Sequence, residues 1–325
     1  MTELQGTAGP LSGTRFIRML GWVNLAIMFA YLANVFLTFV GGLPGAALSG
    51  PPLALMQAAL YPIFAIVALW AVIRTDHRTL RQDSLRISDM NATLIRCAFW
   101  AVVVLGVVDA AISFLRVEGL LEGLVGNDLA GDLGRSQFRG LYVHMPLIAV
   151  GVVIGLFTRT LGFHWLALLI VVAELLIVIC RFIFSYEQAF MSDLIRFWYG
   201  AFFLFASAHT LLEEGHVRVD IVYASLTNRA KGRINAIGTM FLGMSLCWMI
   251  LYIGMAQQSS VIVGPVLNFE TTQSGFGLFL KYLMAAFLGI FAVSMMIQFT
   301  SYLMAAVADY RGDPGRVEPA GAGVH

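Results

Sequence analysis

The sequence predicts an all-α protein, a polytopic membrane helical bundle of about eight transmembrane helices. Composition is the first reason: 59% of residues are hydrophobic and 12% charged, with a mean hydropathy of +0.82, whereas about a quarter of the residues of a soluble domain are charged. The second is the recurrence of apolar runs of about 20 residues, enough to cross a hydrocarbon core of about 30 Å. The third is the sidedness of the loops. With the N-terminus cytoplasmic, 14 of the 20 Lys and Arg residues fall on the inner side, as the positive-inside tendency requires. Both termini are then cytoplasmic. A net charge of +1 offers no basic face to a nucleic acid.

Residues 1–14 are small and polar and read as a disordered cytoplasmic tail. Arg15 and Arg18 precede the first run, about Leu20 to Val40. A secretory leader has a shorter apolar core of about 7 to 15 residues, so this is a retained helix, with a signal anchor as the alternative. After a Gly/Pro turn, Leu53 to Ile73 returns across the membrane, Pro62 being tolerable there as a kink. Arg74 to Arg96 reads as a basic polar loop, and Leu94 to Leu115 as the third span, carrying Asp109. Beyond it, Val117, Leu120, Leu121, Leu124 and Val125 recur at helical spacing and predict a short amphipathic helix on the membrane surface. Deletion of that helix tests a role as part of a docking surface for an external protein.

The fourth span is about Leu141 to Phe157, and the fifth about Phe163 to Phe184, carrying Glu174. The sixth, about Leu194 to Leu212, runs into Glu213, Glu214 and Gly215, where a residue without a Cβ can close the helix. His216, Arg218 and Asp220 follow at every second position. In an extended backbone they share one face, and in a helix His216 and Asp220 are neighbours one turn apart. The seventh span is about Ile234 to Met255, and the eighth, about Phe276 to Ala306, is long enough to require tilt or projection beyond the bilayer. Residues 310–325 form a second disordered cytoplasmic tail. The two halves show no residue-level repeat.

No phosphate-binding loop, dinucleotide fingerprint, zinc-protease motif or nucleophile elbow occurs, so the chain is not expected to be an enzyme, and no cofactor or metal is implied. Cys97, Cys180 and Cys247 lie inside apolar runs without metal-ligand spacing and read as packing residues. His144, His164 and His209 sit near span ends, and paired histidines of that kind can hold a haem. A haem-binding, quinone-linked membrane anchor of a redox complex is therefore the alternative function. Asp109 and Glu174 are intramembrane carboxylates, functional by default, with pairing to a neighbouring helix as the plain alternative. Ala285 with Gly289, and Thr239 with Gly243, are small-residue pairs that allow close helix approach.

From Leu161 to about Asp309 the chain resembles the small membrane subunit, the DctQ-like small permease, of the tripartite ATP-independent periplasmic (TRAP) transporters. The resemblance rests on an Arg181-Phe182-Ile183-Phe184 span ending, on Glu187 and Asp193 in the next polar stretch, and on Gly215-His216-Val217-Arg218-Val219-Asp220 after the following span. A basic loop and a long last span beginning Gly275-Phe276-Gly277 complete the order. The usual acidic pair before the second of these spans is Ser192-Asp193 here, and the spans within 15–160 have no counterpart in the minimal family unit. The resemblance implies a non-enzymatic subunit of residues 161–309 that supports a large TRAP permease. A periplasmic solute-binding protein would deliver an organic acid, an ion gradient would drive uptake, and the location would be the bacterial inner membrane among its lipids. It also implies an inter-subunit role for Gly215, His216, Arg218, Asp220 and Arg181.

Overall fold

A computed structural model describes residues 13–159, 162–186, 189–212, 223, 225–271 and 278–315, among which no strand occurs. In chain order the helices are α1 (Thr14–Phe39), α2 (Pro52–Arg74), α3 (Leu80–Val117), α4 (Leu121–Val125), α5 (Asn127–Leu133) and α6 (Ser136–Phe157). They are followed by α7 (Phe163–Ile183), α8 (Ala189–Leu212), α9 (Asn228–Met255), α10 (Val263–Leu267) and α11 (Lys281–Arg311). Within α6 and α9 the segments Gly140–His144 and Thr239–Met244 are π-helical. Among the described residues, seven helices are long and apolar enough to cross a membrane: α1, α2, α3, α6, α7, α9 and α11. The sixth expected span forms as α8 but is not among the seven, because Asp193, Arg196 and His209 dilute its apolar character.

Two expectations are corrected. The loop expected over Arg74 to Arg96 is mostly helix: α3 runs unbroken for 38 residues. Its start is a capping box, in which the Gln82 amide donates to Thr79 Oγ1 at 3.3 Å and the Thr79 amide to Gln82 Oε1 at 3.1 Å. Leu80, Asp83, Ser84, Ile87, Ser88 and Asn91 are all buried, a helical stripe whose polar members disguise it as a loop. The amphipathic helix expected from Val117 is divided. Gly119 (φ +69°) and Gly126 (φ +83°) take backbone conformations that break it, so only Leu121 of the predicted apolar face is buried, together with Ala130 and Leu133 of α5.

The chain forms two compact units. The first comprises residues 1–90, 211–248 and 295–325. Polar contacts tie its helices together. Arg18 Nε donates to Asp83 Oδ2 at 2.6 Å and Trp22 Nε1 donates to the same oxygen at 3.1 Å. Trp248 Nε1 donates to Asn24 Oδ1 at 3.0 Å. Ser84 and Ser88 lie 2.9 and 2.7 Å from the Ser301 hydroxyl, and Gln298 donates to Ser88. Gln57 pins the α1–α2 turn, accepting from the Gly45 amide at 2.9 Å and donating to Asn34 at 3.0 Å. Backbones meet at Gly232, where a Cβ would come within 2.5 Å of the Tyr310 nitrogen.

The second unit comprises residues 91–210 and 249–294. Here α6 lies against α3 through Gly151 and Gly155, where a Cβ would come within 2.2 Å of the Ala101 Cα and 2.5 Å of the Cys97 Cα. Small residues four apart thus let two backbones touch. Arg96 Nε donates across the same seam to the Gly155 carbonyl at 2.8 Å. The expected small-residue pairs behave differently, Gly289 facing the Met255 and Ile262 side chains and, in the first unit, Gly243 facing the Phe299 ring. α8 buries Leu194, Phe197, Trp198, Ala201, Phe205 and Ala208, an i, i+3, i+4, i+7 seam. Phe205 meets the Phe99 and Phe287 rings edge-on at 5.4 and 5.0 Å.

Candidate functional site

Intramembrane charge is expensive, so the polar residues that α3 and α6 carry into the second unit mark its candidate site. Asp109, Arg139 and His144 are all fully buried. On a regular helix, residues five apart point about 140° away from each other. The π-helical turn at Gly140–His144 widens the i→i+5 hydrogen-bonded ring and lets both Arg139 and His144 reach Asp109. Arg139 Nε lies 2.6 Å from Asp109 Oδ1, and His144 Nε2 lies 2.8 Å from the same oxygen. Arg139 Nη2 donates to the Asp109 carbonyl and to Ser113 Oγ, each at 2.8 Å. The guanidinium also stands 4.9 Å from the Phe279 ring centroid, a cation–π contact. His144 Nδ1 is 2.8 Å from the Tyr282 hydroxyl.

The carboxylate at Asp109 fixes the tautomer: it accepts, so His144 Nε2 carries a proton and Nδ1 of the neutral ring accepts from Tyr282. Asp109 Oδ2, Arg139 Nη1 and Arg139 Nε, the last ion-paired with Asp109 but not in hydrogen-bond geometry, remain buried without a hydrogen-bond partner among the described residues. Sequence reasoning singled out Asp109 and His144 but missed Arg139 and Tyr282. The available signal was the spacing Arg139 to His144 at the start of one apolar run.

Glu174 is placed quite differently. It lies midway along α7 on an exposed face, and the Tyr199 hydroxyl of α8 donates to its carboxylate. Arg181 lies in the last turn of α7, also exposed. Gly215, His216, Arg218 and Asp220 lie outside the described residues. His209 stacks on Phe163 at 5.2 Å between centroids, and His164 is exposed. Both ring nitrogens of His144 are occupied by Asp109 and Tyr282, which leaves that residue no lone pair for iron. Cys97, Cys180 and Cys247 are free thiols.

No curated protein and no solved structure matches the chain. Residues 167–308 match the profile of the family described as Tripartite ATP-independent periplasmic transporters, DctQ component. That family is non-enzymatic, and its members are the small component of a tripartite transporter. The matched region runs from within α7 to within the last turn of α11 and includes Glu174, Tyr199 and Tyr282, whereas Asp109, Arg139 and His144 precede it. The chain is thus a multi-pass membrane protein that carries, over residues 167–308, the DctQ-component small-permease domain of the TRAP transporters, preceded by four further helices of membrane-spanning length.

Proposed function

We propose that this chain is the small membrane subunit that braces the large permease of a TRAP-type secondary transporter. Uptake of an organic acid delivered by a periplasmic solute-binding protein is then driven by an ion gradient across the inner membrane. The family match over residues 167–308 carries this reading. Residues 161–309 form the small-permease part and residues 15–160 an N-terminal extension, with both termini cytoplasmic, the orientation the distribution of basic residues favours. His216, Arg218 and Asp220 fix the inner-side register of the complex through charge-assisted hydrogen bonds, with Gly215 and Arg181 as further residues of the inter-subunit contact.

Asp109, Arg139 and His144 belong to the extension and Tyr282 to the small-permease part, so their contacts support a second element of the proposal: the extension is locked to the small permease by a buried polar cluster. The test is a mild-detergent pull-down of the tagged chain from its native membrane, with mass spectrometry and an absorption spectrum of the eluate. A large multispanning permease in a colourless eluate is expected, and Arg218→Ala or Asp220→Ala should reduce its yield and the uptake rate. A haem spectrum with redox subunits would overturn the proposal.

A further inference from the structure

α7 has an unusual surface for a helix of its hydropathy. Between Phe163 and Ile183 it fully buries only Leu166, Ile170 and Ala173, a seam one residue wide, with Phe163, Ala167, Leu169, Ile177, Ile179 and Cys180 partly buried beside it and the remaining side exposed. α2 is comparably uncovered, burying Ala54, Gln57 and Val72. The outward side of α2 is apolar from Leu53 to Ile73, as a face against lipid chains should be. The outward side of α7 is not: Val171 (62% exposed) and Val178 (50%) flank Glu174 one turn either way.

α8 continues the same kind of surface. Its buried seam leaves Ser192, Arg196, Tyr199 and Phe203 on the opposite side, all exposed and spaced at four, three and four residues. Tyr199 and Phe203 stack at 5.8 Å, and Tyr199 reaches across to Glu174. Arg196 is paired loosely with Asp193, at 3.7 Å. An exposed carboxylate at the midpoint of a membrane helix, with only a neutral hydroxyl from Tyr199 against it among the described residues, is costly in lipid. Lipid chains supply neither a counter-charge nor a donor. A protein helix bearing a cation or strong donors does.

We infer that the α7–α8 face centred on Glu174 and Tyr199 is the surface against which a membrane helix of the large permease packs. That helix presents a cationic or strongly hydrogen-bond-donating side chain to the Glu174 carboxylate. The inference rests on the proposed function above and adds to it the face and the chemistry of the contact. Charge complementarity selects this occupant, because a lipid acyl chain leaves the carboxylate unpaired and a second copy of the same face would set Glu174 against Glu174.

The test uses the full chain co-expressed with its large permease, with a photo-crosslinking amino acid placed singly at Val171, Val178 or Phe203 and, as control, at Ile66 of α2. Adducts with the permease at the first three positions but not at Ile66 are expected. Glu174→Ala should lower the permease recovered per tagged chain about tenfold, with the variant's own yield and melting temperature near wild type, and Glu174→Asp should restore part of the loss. Adducts with lipid alone, or with a second copy of the chain, would overturn the inference, as would a Glu174→Leu chain that recovers as much permease as wild type. If wild type itself recovers no permease, the proposed function fails. If wild type recovers it while the crosslinks go elsewhere, only the assignment of the face fails.

Discussion

Asp109 shows how one buried residue sets the properties of its surroundings. It accepts from His144 and faces Arg139, all at zero exposure, so removing it strands a guanidinium away from water. Breaking a buried pair from one side costs about 3–5 kcal/mol, and Asp109→Ala should therefore lower the melting temperature of the detergent-solubilised protein sharply, as thermal unfolding will measure. Asp109→Asn should keep the His144 bond and still lose stability, because the Arg139 charge stays uncompensated. Asp76 is the exposed counterpart, in the turn after α2. The hydrogen bond from Arg15 holds its carboxyl below the usual carboxylate range. A depressed folded pKa stabilises fully above the unfolded value and loses that contribution as pH falls through the folded one. Stability curves of wild type and Asp76→Asn should accordingly differ at neutral pH and converge in acid below about pH 4. Asp109 was legible in the sequence as an intramembrane carboxylate. Its partners were not, since Tyr282 lies 138 residues from His144.

Among the elements, α3 and α6 carry the clearest lesson. Hydropathy assigned the first third of α3 to a loop because Asp83, Ser84, Ser88 and Asn91 are polar, yet those residues point inward and are buried. The helical period and the Thr79–Gln82 capping box were both present in the sequence, and greater weight on periodicity than on polarity would have found the helix. Thr79→Ala should cost about 1 kcal/mol, readable in the same thermal assay. On α6, Gly151 and Gly155 sit where any side chain strikes the α3 backbone. Gly151→Leu should destabilise by at least about 1–3 kcal/mol, whereas Gly123→Ala on α4, with open space around its Cα, should be neutral or stabilising by up to about 1 kcal/mol. Equal losses at the two positions would contradict the close approach.

For the molecule as a whole, both compact units draw on chain from before and after residue 160. In the first, Ser84 and Ser88 meet Ser301; in the second, His144 meets Tyr282. Residues 161–325 expressed alone should then be poorly stable, and co-expression with residues 1–160 should rescue them as a co-purifying pair. Good behaviour of the isolated fragment would show that the N-terminal helices are dispensable for folding. The sequence by itself determined the helical membrane class, six of the seven spanning helices to within a few residues, and the transporter family of residues 167–308. These are local or contiguous properties: hydropathy is summed over about 20 neighbours, and a family pattern is read in order along the chain. Only the tertiary structure decided which polar groups pair, such as Arg18 with Asp83 and Asp109 with Arg139 and His144, and which intramembrane carboxylate is enclosed and which faces outward. Asp109 and Glu174 look alike in sequence. They differ because one is met by a cation on a packed helix and the other by a hydroxyl at the surface, and electrostatic pairing depends on distance in space.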